Sequence, residues 1–188
     1  MSLMRHEHTL DAARAALVVI DMQESFRAHI ADFADVAARI AVAVAGARLL
    51  GVPVLVTEQY PKGLGRTVAE IRRALPADFA PVEKTAFSSC GAQAFTAELE
   101  RTGARQLLVC GIEAHVCVNQ TTHDLLARGF QVHLLTDCIT ARAAPNKAAG
   151  LAKMQAGGAL PSSLELALFE LLRDARHEQF KAVQRLIK

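Results

Sequence analysis

Three residues, at or just beyond the ends of expected strands, carry side chains that together could activate a thiol. Ala15–Ile20 (AALVVI) is closed by Asp21, the short segment Val82–Lys84 ends in a lysine, and Gln106–Cys110 runs into Gly111-Ile112-Glu113-Ala114-His115-Val116-Cys117. Asp21 could accept a thiol proton, Cys117 could attack a carbonyl carbon, and a Lys84 ammonium nearby would favour the thiolate. Cys117 falls in the first turn of a predicted helix, where unpaired N–H groups and the positive dipole end favour an anion. The N–H groups of the turn before it could cradle the oxyanion of a tetrahedral intermediate. This is the equipment of acyl transfer through a thioester.

The elements that must bring these residues together are legible as alternating apolar runs and helical patterns. Ala15–Ile20 reads as a strand buried on both faces. Asp35–Leu50 reads as a helix, with Ile40, Ala43, Val44 and Ala47 on one face and Gly51 as its stop. Val52–Val56 is expected to be the second strand, followed by a polar loop over Thr57–Arg66, a helix over Thr67–Leu75 and a weak third strand at Val82–Lys84. A helix at Gln93–Arg101, a strand at Gln106–Cys110, a helix at Val116–Ala127 and a strand at Gln131–Thr136 follow. Asn146–Gln155 is expected to be helical, Ala159–Leu160 a stub of a sixth strand, and Ser162-x-x-Glu165 a capping box opening a helix to Leu172. Glu178–Ile187 is a terminal amphipathic helix. The pattern predicts an α/β fold: a doubly wound parallel sheet of five or six strands in the order 3-2-1-4-5-6, helices on both faces. Ligands bind such sheets beyond the strand ends where the order reverses, here between strands one and four, so Asp21 and Cys117 would face each other. Lys84, two strands away, would fold in from a loop.

The 188 residues are expected to form one domain, 1–188, with no repeat or linker. A net charge of +2 with dispersed Lys and Arg argues against a nucleic-acid or membrane partner, and no apolar run approaches the about 20 residues of a membrane helix. Met1–Arg14 lacks the apolar core of a signal peptide, and the four cysteines form no C-x-x-C pair or zinc pattern, so reduced thiols in a cytoplasmic setting are expected. No G-x-G-x-x-G follows strand one, which weakens a dinucleotide-binding reading of the same fold. Cys110 reads as core, Cys90 as a thiol on an exposed loop, and His123 and His133 as structural or surface residues.

The segments VVIDMQ, KTAFS and GIEAHVCVNQTTHDLL, with TDCITAR and SSLE downstream, resemble the isochorismatase-like cysteine hydrolase superfamily, which includes nicotinamidases and carbamoylsarcosine amidases. The similarity runs from about residue 12 to the C-terminus and is greatest to isochorismatase-domain proteins of unassigned substrate. It implies Asp21 as general base, Cys117 as nucleophile and Lys84 as thiolate stabiliser. It also implies a cis peptide between Ile112 and Glu113 and an oxyanion hole made by the N–H groups of Glu113 and Cys117. Gln23, Phe26, Gln59, Tyr60, Phe87 and His115 are expected to line the pocket. Where nicotinamidases carry a D-x-H…H metal site after strand two, this chain reads TEQYPKGLGRT without a histidine, so neither metal nor other cofactor is expected. The resemblance and the apolar C-terminal helices imply a homo-oligomer. The expected function is hydrolysis of a small-molecule amide or related C–N bond. The alternatives are a catalytically silent small-molecule binding or scaffold protein, and a redox-sensing thiol protein.

Overall fold

Six consecutive apolar residues can be buried throughout only when both faces of their strand are covered, and Ala15–Ile20 (β1) is buried at every position. The computed structural model describes residues 5–188. Residues 1–4, the start of the stretch read above as lacking a signal peptide's apolar core, lie outside them. The other strands are β2 (Val54–Gln59), β3 (Val82–Lys84), β4 (Gln106–Gly111), β5 (Gln131–Ile139) and β6 (Leu160–Ser162). All pairings are parallel, in the order β3-β2-β1-β4-β5-β6. The helices are α1 (Phe33–Leu49), α2 (Pro61–Leu64), α3 (Ala69–Arg72), α4 (Gln93–Thr102), α5 (Asn119–Ala127), α6 (Ala144–Ala156), α7 (Leu164–Leu172) and α8 (Phe180–Leu186).

Alternation along β1 feeds two cores. Leu17 and Val19 pack with Phe33, Ile40, Leu168 and Leu171 beneath α1 and α7. Ala16, Val18 and Ile20 pack with Phe95, Leu99, Leu125 and Met154 beneath α4, α5 and α6. The β1–α1–β2 crossover covers one face, and the return from β3 through α4 to β4 covers the other. The winding sense therefore reverses between β1 and β4, and their ends open the crevice.

Several boundaries differ from the sequence expectation, each for a local reason. The second strand is Val54–Gln59, not Val52–Val56. Pro53 stays ahead of it, its carbonyl accepting from the Leu17 N–H at 2.8 Å. The strand continues through polar Thr57, Glu58 and Gln59 because each finds a partner for its side chain. Glu58, fully buried, accepts from the Thr67 N–H and hydroxyl, both at 2.7 Å, and from Arg66 at 3.0 Å. The expected helix Thr67–Leu75 shrinks to α3. The expected capping box at Ser162 is absent: Ser162 lies in β6, and Ser163 caps α7 by accepting from the Leu166 N–H at 3.3 Å.

Candidate active site

Strand register sets the levels of the three reactive side chains. Ile20 pairs with Thr57 on one side and Gly111 on the other, while Lys84 pairs with Gln59 at the far end of β2. β3 lies two strand spacings, about 10 Å, from β1, and the extended lysine stem crosses the end of β2. Its Nζ donates to Asp21 Oδ2 at 2.6 Å, Gln59 Oε1 at 2.8 Å, and the carbonyls of Phe87 at 3.1 Å and Ala86 at 3.2 Å. The other Asp21 oxygen accepts from the Thr57 hydroxyl at 2.7 Å. Both charged side chains of the pair are almost wholly buried. Lys84 thus reaches the site from the end of β3, the strand expected at Val82–Lys84, without a loop having to fold in. Asp21 has φ +51°, a left-handed conformation that Asp tolerates better than most residues, and this turns its carboxylate back from the end of β1.

Cys117 sits on a wider turn than expected. Ala114–Val118 is a single π-helical turn leading into α5, with Val118 donating to the Glu113 carbonyl at 3.3 Å. Gly111, before it, has φ +116°, and a Cβ there would overlap the Ile20 carbonyl oxygen, so the close approach of β4 to the end of β1 requires glycine. The Ile112–Glu113 peptide is cis. From the opposite side α6 seats directly on the turn: a Cβ on Gly150 would lie 2.7 Å from the Ala114 carbonyl oxygen. Asp21 and Lys84 are paired at 2.6 Å, and both bear on the Cys117 thiol, the carboxylate opposing its anion and the ammonium favouring it.

The isochorismatase domain model matches residues 15–165. The chain belongs to the isochorismatase family. Human isochorismatase domain-containing protein 2 is 43% identical over 175 residues, 93% of this chain and 83% of its own length. The structure of MAR1 ribonuclease from Caenorhabditis elegans superposes with a TM-score of 0.90 at 36% identity, covering 95% of this chain and 91% of that one. YcaC from Pseudomonas aeruginosa, solved with hexane-2,5-diol and covalent acrylamide, matches at 0.86 and 27% identity over 97% and 93% of the two chains.

One expectation about this isochorismatase-family site is reversed. Cys117 is only 7% exposed; burial, then the Asp21 charge, push its thiol up to about 12 against the opposing pull of Lys84. Both effects favour the protonated sulfur at neutral pH. The helix start and the ammonium do not favour a resting thiolate enough, because desolvation and the larger opposing effect of the Asp21 charge outweigh them. Burial also raises Cys90, Cys110 and Cys138, and Cys90 is buried rather than on an exposed loop.

The remaining family-site candidates divide. Tyr60 and Phe87 are exposed, at 55% and 53%. Both are tied to Lys84, Tyr60 through its N–H to the Lys84 carbonyl at 2.8 Å and Phe87 through its own carbonyl. Gln23 is wholly buried and gives its amide to the carbonyls of Gln59 and Gly65, so it brackets the β2 loop instead of facing a ligand. Gln59 holds the Lys84 ammonium and the Thr85 carbonyl. Phe26 packs against the α1 core, and His115 faces Asn146 at 3.4 Å. Among the described residues no cluster of three His, Cys, Asp or Glu side chains could hold a metal, and no helix is long and apolar enough to cross a membrane. Sequence reasoning missed Thr57, assigned to a loop, and Arg142, which binds the Glu113 carboxylate at 3.0 Å. The signal for Thr57 was its place directly after the apolar run that ends at Val56, at the carboxyl end of the strand beside β1.

Proposed function

We propose that this chain is a cysteine-dependent hydrolase of small-molecule amides or related C–N bonds, working through a thioester. The observation that carries the reading is the convergence of a buried Asp21–Lys84 ion pair, at 2.6 Å, on a protonated thiol. A thiol of that kind attacks only when its proton leaves in the same step, and Asp21 is the base at hand. The sulfur bonds to the carbonyl carbon, the proton passes to Asp21, and the oxyanion is held by the N–H groups of Glu113 and Cys117. Collapse breaks the C–N bond, the departing amine takes the proton from Asp21, and the thioester remains. Water, deprotonated by Asp21, then cleaves the thioester, and the sulfur recovers its proton as the acid leaves.

Tyr60 and Phe87, exposed at the ends of β2 and β3, supply the apolar rim that receives the substrate. The whole chain acts as one domain without a metal or other cofactor, in the cytoplasm and as a homo-oligomer. Leu166 and Phe169, exposed on α7, favour the last point. A second reading, cleavage of RNA, comes from the name of the nematode neighbour. It is disfavoured here because the one site ammonium is fully buried and already has four acceptors, leaving it no donor for a phosphate.

The deciding experiment follows ammonia release from a panel of carboxamides, with intact-mass detection of an acyl adduct and a labelled RNA as competitor substrate. Amide turnover with an adduct on Cys117 is expected, and Cys117→Ala should abolish it while leaving the circular dichroism unchanged. Turnover retained in Cys117→Ala would overturn the covalent mechanism. Binding without turnover would favour a silent scaffold, and loss of RNA alone would favour the second reading.

A further inference from the structure

Glu113 is a costly residue to place where it is. Its carboxylate is 6% exposed, and burial alone would push its pKa up, yet hydrogen bonds and charge from Arg142 hold it below the usual range. Arg142 supplies three N–H contacts: its backbone N–H to Oε2 at 3.0 Å and its Nε to Oε2 and Oε1 at 3.0 and 3.1 Å. The Arg142 side chain is itself more than half exposed. An ion pair of that kind contributes little net stability once the desolvation of the carboxylate is set against it.

The pair belongs to a clamp. The Thr140 N–H donates to the Gly111 carbonyl at 3.3 Å, the Thr140 carbonyl accepts from the Ala114 N–H at 2.9 Å, and the Thr140 hydroxyl is fixed by Asp32 at 2.5 Å. Residues 140–142 thus hold the 111–114 strip at a carbonyl, a carboxylate and an N–H in turn. Glu113 is pinned a second time through its own carbonyl, which accepts from Val116 at 3.0 Å and Val118 at 3.3 Å. Its N–H meets no acceptor among the described residues. A residue fixed at both its carboxylate and its carbonyl, with its amide left over, is built to present that amide to something else.

We infer that Arg142 is a positioning residue: by clamping the Glu113 carboxylate it aims the Glu113 N–H at the carbonyl oxygen of the bound substrate. This rests on the cysteine-hydrolase reading above, and two thiol reagents separate the two. With acrylamide, the Cys117 proton passes to Asp21 and the sulfur bonds to the β-carbon. The C=C electron pair shifts to give an enolate with its charge on the carbonyl oxygen, and the α-carbon then takes a proton. With iodoacetamide, the sulfur displaces iodide, and the carbonyl oxygen develops no charge. Both reagents need the activated thiol; only acrylamide needs the oxyanion donor.

The expected result for Arg142→Gln, from second-order rate constants read by intact mass, is about a tenfold loss with acrylamide and less than a twofold change with iodoacetamide. Loss of one oxyanion donor costs about 10²–10³ in rate, and a donor merely left loose costs less. Arg142→Lys, which keeps a cation against Glu113, should recover part of the acrylamide rate, and it carries the same comparison if Arg142→Gln does not fold. Equal losses with both reagents, or none, would overturn the positioning role alone. A wild-type protein in which neither reagent modifies Cys117 would bring down the nucleophile reading and this inference with it.

Discussion

At the scale of single residues, the chemistry turns on where one proton rests. Cys117 holds its proton because burial and Asp21 both oppose the anion, so the carboxylate that raises the thiol is also the group that must receive the proton. The two roles of Asp21 can be separated. Iodoacetamide labelling of the wild-type Cys117 should climb with pH to at least pH 9 without a plateau. Asp21→Asn should move that rise to lower pH, since an opposing charge is gone, while amide turnover falls about 10²–10⁴-fold for want of a base. A wild-type plateau near pH 7 would mean a resting thiolate and a different division of labour. Asp21 stood out in the sequence because it closes the apolar run of β1, whereas Lys84 and Cys117 stood out only through the resemblance of KTAFS and GIEAHVC to a known family. The sign of the Cys117 shift was not legible, because neighbouring charges can be read from strand order whereas depth of burial cannot.

At the scale of elements, the turn carrying Cys117 is held by what cannot fit beside it. Gly111 combines a positive φ with direct overlap between any Cβ and the Ile20 backbone, whereas Gly103, also at positive φ, has nothing within 4 Å. Gly111→Ala should therefore cost about 3 kcal/mol or more, and Gly103→Ala only about 1 kcal/mol of backbone strain. Urea unfolding of the two variants checks this, and equal costs would show that β4 can shift away from β1. The elements themselves were read with uneven success, for identifiable reasons. β1 was found to the residue because a strand covered on both faces is apolar throughout. The end of β2 was lost because Thr57, Glu58 and Gln59 look like a loop until their partners on Asp21, Thr67 and Lys84 are known. The start of α7 was displaced by one residue because adjacent serines both qualify as caps and only geometry selects Ser163.

At the scale of the whole molecule, the end of the sheet away from the site carries its own titration. His133 on β5 is buried beside Gln131, with its pKa pushed down to about 4 from an ordinary value near 6.5, chiefly by desolvation. Between pH 6.5 and 4 the unfolded chain binds a proton that the folded chain refuses. Its contribution is therefore complete above pH 6.5, falls away as the pH drops to 4, and changes no further below; it amounts to at most about 3 kcal/mol. Urea midpoints measured from pH 7 to 4.5 should fall less steeply in His133→Leu than in the wild type, and parallel curves would refute the assignment. The strand order was legible at this scale because right-handed crossovers leave few ways to wind alternating strands and helices. A different property of the sheet follows from its opposite edge. β3 is three residues long, pairs on one side only, and ends in Lys84. Short edge strands are among the first segments to open in native-state fluctuations, and each opening here withdraws the counter-charge from a buried carboxylate. Asp21 makes that excursion expensive, so the ion pair is a latch on this short edge of the sheet. An opening of β3 would disarm the site without unfolding the rest of the molecule.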